Sequence, residues 1–106
     1  MTENLTDRRV VALDLTGVTD KSGLMDAVAR ALRLPDWFGR NWDALLDSLC
    51  DPSVWPPEAG GRGLLLVVTG WEAYARTRPD EWRVAREVFT EATERPAPLT
   101  VALALA

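Results

Sequence analysis

Asp43, Asp47 and Asp51 stand four residues apart, the spacing that brings side chains onto one face of an α-helix. Carboxylates in such a row can hold a divalent cation, act as an acid/base pair, or accept hydrogen bonds from the Arg and Lys side chains of a basic partner. A helix to carry them is expected over about 41–50. Asn41 is a strong N-cap type, Leu45 and Leu49 repeat at helical spacing, and Trp42 falls on their side. The row is costly, because like charges at this spacing destabilise a helix by roughly 0.2–0.5 kcal/mol per pair. Asp43 lies near the positive helix start, whereas Asp47 and Asp51 approach the negative end. Stability alone gives little reason for that arrangement, and a cationic partner outside the helix supplies one. A solvated acidic face has the same spacing, so the surrounding residues must decide.

Catalytic chemistry has little to stand on. The chain contains no histidine, which excludes Ser/His and Cys/His dyads and any histidine metal site. Two aspartates on one helix without a second ligand set are a thin basis for a Mg²⁺ site. Gly60-Gly61-Arg62-Gly63 precedes a strand rather than a helix, so it is not a phosphate-binding loop. Cys50, the one cysteine, cannot form an internal disulfide and has no histidine to activate it. It reads as a small buried residue near the helix end, consistent with a reducing compartment. No cofactor or metal is expected.

The elements around this helix follow from patterning. Residues 1–8 are polar and read as a frayed tail ahead of a single domain over 9–106. Val10–Leu15 is a short, mostly continuous apolar run, read as a buried strand. Asp20 or Ser22 caps a helix whose stripe is Leu24, Ala27, Val28, Ala31 and Leu32, and Pro35 ends it. Residues 52–63 hold three prolines and three glycines and read as a surface connection without regular structure. Leu64–Thr69 is a second strand, central or covered on both faces. Glu72–Arg78 is a short helix, and Pro79 opens a longer one to about Arg95 with Trp82, Ala85, Val88, Phe89 and Ala92 inward. Leu99–Leu105 is the third strand. Strands alternating with helices imply parallel pairing through right-handed crossovers. The expected fold is an α/β two-layer domain with a three-stranded parallel sheet and about four helices.

Composition narrows the partners. Of 106 residues, 47% are hydrophobic and 26% charged, and the net charge is −4. That balance suits a soluble domain and argues against nucleic-acid binding, which calls for a basic footprint. No apolar run approaches a membrane span, and the acidic, polar Met1–Asp7 does not have the pattern of a secretory signal.

The run Leu34-Pro35-Asp36-Trp37-Phe38-Gly39-Arg40-Asn41-Trp42-Asp43-Ala44-Leu45-Leu46-Asp47 resembles the barstar family, small intracellular inhibitors of ribonucleases. Val88-Phe89-Thr90-Glu91-Ala92 is a shorter local match. The resemblance implies strand order 1-2-3 with helices largely on one side. It also implies a cytoplasmic, monomeric inhibitor that plugs a basic, barnase-type ribonuclease one-to-one, with no catalysis. Its partner-binding residues would be Trp37, Gly39, Asn41, Trp42, Asp43, Ala44, Leu46, Asp47 and Glu91. Asp47 would occupy a phosphate position and Asp43 a second cationic cluster, while Trp37 would anchor the loop. Trp42 also shares a face with Leu45 and Leu49 and so has a core reading. Phe38 reads as a core plug, and Gly39 as a site of positive φ or of close approach by the partner. Glu91 is a rim charge or an ordinary exposed glutamate. Two positions depart from the family pattern, Leu46 in place of tryptophan and Arg40 in place of glutamate, making the surface less aromatic and locally less acidic. They keep open an alternative, an interaction module for a non-nuclease protein.

Overall fold

A computed structural model describes residues 9–55, 63–95 and 99–104. Its elements, in chain order, are β1 (Arg9–Asp14), α1 (Lys21–Leu32), α2 (Trp42–Leu49), one 3-10 turn (Pro52–Val54), β2 (Leu64–Thr69), α3 (Glu72–Thr77), α4 (Pro79–Thr93) and β3 (Leu99–Leu103). The strands pair in parallel in the order β1-β2-β3. The expected α/β architecture, with its strand order and helix number, is the one observed. The proposed tail over residues 1–8 and the connection over residues 56–62 lie outside the described residues. No helix among the described residues is long and apolar enough to cross a membrane.

Register explains the layers. Val11 lies beside Leu66 and Leu13 beside Val68, and all four are buried, while Val10 and Ala12, at the alternate positions, are exposed. Alternate residues of a strand face opposite ways, so the helices cover one face only. The reading of Val10–Leu15 as a buried strand is thereby corrected. β1 is an edge strand whose apolar run is half exposed, a condition that continuous hydrophobicity does not reveal. β2 is central, as its six apolar and β-branched residues suggested, alternating fully and partly buried positions.

Local chemistry sets each helix end. Asp20 is the N-cap of α1, accepting the Gly23 N–H at 2.8 Å. That helix stops at Leu32, ahead of Pro35, because Arg33 turns left-handed at φ 51° and donates to the carbonyls of Ala29 and Arg30. The inward residues of α4 are those its spacing indicated, Trp82, Ala85, Val88, Phe89 and Ala92. Trp82 stacks on Trp71 with centroids 5.3 Å apart and meets Tyr74 and Phe89 edge-on. Such aromatic pairs contribute about 0.5–1.5 kcal/mol beyond burial. Trp71 also donates its indole N–H to the Ala104 carbonyl at 3.0 Å, fastening the start of α3 to the end of β3. Gly70 closes β2 at φ +65°, and a Cβ there would press on the Thr16 hydroxyl and lie 2.8 Å from the Thr16 nitrogen. Only glycine fits that crossing.

Candidate functional site

The site is a turn followed by a helix. After α1, the Phe38 N–H closes onto the Pro35 carbonyl at 3.0 Å. Phe38 is driven into the core, 5% exposed, and Trp37 is left at the tip, 72% exposed. Adjacent aromatic residues thus have opposite fates, one holding the turn and one offered to solvent. The backbone then passes Gly39 and turns left-handed at Arg40, φ 54°. Positive φ at Gly39 is therefore not found. Glycine is favoured there because a Cβ would lie 3.2 Å from the Ala44 Cβ and 3.3 Å from Asn41 Nδ2.

Asn41 caps α2, its Oδ1 accepting the Ala44 N–H at 2.8 Å while its Nδ2 donates to the Gly39 carbonyl at 3.3 Å. Loop and helix are joined through one side chain. The far end of α2 is held by a buried bond from the Trp55 indole N–H to the Ser48 carbonyl, 3.0 Å. With Leu45 and Leu49 fully buried, the helix is fixed at both ends and along one side.

Its other side carries the carboxylates. Asp43 and Asp47 are exposed one turn apart, and among the described residues no cation pairs with either. Asp51 does not continue the row, because α2 ends at Leu49. Its Oδ1 accepts both the N–H and the hydroxyl of Ser53, at 3.0 and 2.7 Å, capping the 3-10 turn. Those bonds lower its pKa. The expected row of three is a pair. Proline at 52 restarts the chain and redirects the third carboxylate, and the same turn gives regular structure to the start of the proline-rich connection.

α2 packs on α4, which brings Glu91 into the neighbourhood. The Cys50 thiol registers this arrangement. Burial pushes its pKa up, Arg95 lowers it, and the Asp47 and Glu91 carboxylates raise it. Glu91 is exposed and bonded to Arg95 at 3.3 Å, so its charge is partly answered within the chain. Trp42, Ala44 and Leu46 are partly buried against the core, with only their outer edges available. Sequence spacing gave no sign of two contacts. Arg40 is hydrogen-bonded to Asp26 of α1, and Lys21 holds its ammonium 5.6 Å from the Trp42 ring centre. Partners fourteen or more residues apart across a turn leave no periodic trace.

The geometry offers accepting carboxylates and an exposed indole. Among the described residues, no cluster of three acidic or thiol side chains is arranged to hold a metal. No curated protein matches the sequence. Residues 8–105 match the family model described as Barstar (barnase inhibitor). Spanning nearly the whole chain, that match shows that the protein belongs to the barstar family.

Proposed function

We propose that this protein inhibits a barnase-type ribonuclease by inserting α2 and the Trp37 loop into the enzyme's basic active site, one molecule to one. The observation that carries the reading is the pair Asp43 and Asp47, exposed on one helix face with no described cation to neutralise them, beside an indole that is 72% exposed. The arginine and lysine side chains that hold RNA phosphate would take these carboxylates as substitutes, in charge-assisted and bidentate hydrogen bonds. Asp47 stands for one phosphate and Asp43 for another. Trp37 fills a surface hollow with much contact area and few rotors to freeze. Held by Phe38 and Asn41, the loop loses little entropy on docking.

The inhibitor works by occlusion and catalyses nothing. Its place is the cytoplasm of the cell that makes the nuclease, where the unbridged Cys50 is at home. It is a monomer until it meets the enzyme.

Inhibition of a barnase-type ribonuclease by wild type and Asp47→Ala, at low and moderate salt, tests the reading. Tight inhibition should be lost in the variant, at about 2–5 kcal/mol or more, the general cost of truncating one partner of a desolvated charge pair. Association should slow as salt screens charges beyond about 8–10 Å. Inhibition indifferent to both changes overturns the phosphate-mimic mechanism, and no inhibition at all points to another ribonuclease or to a non-nuclease partner.

A further inference from the structure

The α1 side of the same surface adds two cations, Lys21 and Arg40, to the carboxylates there. Lys21, the single lysine of the chain, opens α1 and lies over Trp42, the first residue of α2. Arg40 occupies the turn just before that helix. Both line one cleft of about 370 Å³ together with Asp20, Ser22, Met25 and Glu81.

The carboxylates of this cleft are already engaged. Asp20 accepts the Gly23 N–H at 2.8 Å. Glu81 accepts the Tyr74 hydroxyl at 3.0 Å and lies 3.7 Å from Arg78. The cations are less well served. Among the described residues, no carboxylate is within ion-pair distance of Lys21. Asp26 bonds only Nη1 of Arg40, leaving the rest of a five-donor fork on a side chain that is 53% exposed. Arg40 also sits at φ 54°, a conformation in which Gly, Asn or Asp is the ordinary choice. Arg33 shares that conformation as the C-cap of α1, so it is the clasp by Asp26, with the rest of the fork at the surface, that offers Arg40 for contact.

We propose that this cleft is a second contact site, which receives an aspartate or glutamate side chain of the bound ribonuclease beside that enzyme's basic mouth. The inference rests on the inhibitor reading and extends it. Docking of α2 covers the surroundings of Trp42 and removes water from Lys21 and Arg40. Cations stripped of water need acceptors, and a carboxylate answers both at once. A ribonuclease that presented a cation at this point would be rejected, so the cleft selects among basic enzymes by requiring one acidic group at a fixed offset from the phosphate sites.

Lys21 being the only lysine makes the test direct. A complex of the full chain with a barnase-type ribonuclease is treated with a carbodiimide, which joins contacting amines and carboxylates, and the linked peptides are identified by mass spectrometry. A link from Lys21 to a ribonuclease aspartate or glutamate is expected. The Lys21→Met/Arg40→Met variant should dissociate about tenfold faster, yet still link Asp43 or Asp47 to ribonuclease lysines. Links at Asp43 or Asp47 with none at Lys21, and unchanged dissociation of the double variant, overturn the second site and leave the inhibitor reading standing. Absence of links at both places overturns both.

Discussion

Asn41 accepts the backbone N–H of Ala44 at 2.8 Å, and this one bond makes the start of α2 and the end of the recognition loop a single unit. Asn41→Ala removes the cap and should lower the unfolding free energy by about 0.5–2 kcal/mol. Asn41→Asp keeps the accepting oxygen and loses only the donor to Gly39, so most of the stability should return. Urea unfolding of the two variants measures the difference. Equal losses would mean that the bond to the Gly39 carbonyl, at 3.3 Å, is the one that matters.

Trp37 and Phe38 separate recognition from stability across one peptide bond. Trp37 is 72% exposed and Phe38 5%. Trp37→Ala should leave unfolding within about 0.5 kcal/mol of wild type while weakening inhibition by about 2 kcal/mol or more. Phe38→Ala should do the reverse to stability, costing about 3–5 kcal/mol through the lost transfer energy and the cavity left behind. Paired unfolding and inhibition measurements check both. A Trp37 variant that loses stability rather than affinity would turn the anchor into a packing residue.

Period and capping carried most of the fold. The stripe of α4 and the Asn41 cap are local patterns, and local physics is enough to place them. What spacing could not show is which face of a strand the helices cover. Val10 and Leu13 are equally apolar in sequence, yet one is 50% exposed and the other fully buried, because coverage is decided by distant elements. The site was legible to the same extent. Asp43 and Asp47 were visible as a helical pair, and Asp51 was assigned with them because a period of four does not know where a helix ends. The clasp between Arg40 and Asp26 and the seat of Lys21 on Trp42 depend on how α1 returns past the loop, and no sequence interval encodes that.

Asp51 supplies an internal control for Asp47. Its carboxylate serves Ser53 rather than the helix face, so Asp51→Ala should keep inhibition within about threefold of wild type, the effect of a peripheral charge. The bonds to Ser53 hold its pKa below the usual 3.8. A pKa lower when folded than when unfolded stabilises the fold above the unfolded value. That contribution disappears as pH falls through the folded value. Asp14, its pKa likewise lowered by the Thr16 side chain first and then by the Thr16 N–H at 2.9 Å, behaves the same way. Stability measured against pH should therefore fall less steeply in Asp51→Asn than in wild type on the acid side of the carboxylate range. Superimposable acid limbs would remove Asp51 from the linkage.

Tyr74 should govern the alkaline limb. It is the only tyrosine, fully buried, and donates its hydroxyl to Glu81 at 3.0 Å. Burial first, then the bond and charge of Glu81, raise its pKa well above the usual 10.0. The folded chain therefore keeps a proton that the unfolded chain releases. The stabilisation is intact below the unfolded value and is lost as pH climbs from there toward the folded one. Cys50 acts in the same direction, its pKa raised from 9.0 chiefly by burial, so the comparison is best made with Cys50→Ala as background. Phenolate absorbance should stay absent while the protein is folded and rise together with the loss of helical circular dichroism. Tyr74→Phe should cost about 0.5–1.5 kcal/mol at neutral pH and flatten the decline above pH 10. Phenolate rising ahead of unfolding would show that the hydroxyl reaches solvent in the folded state and that Glu81 does not hold its proton.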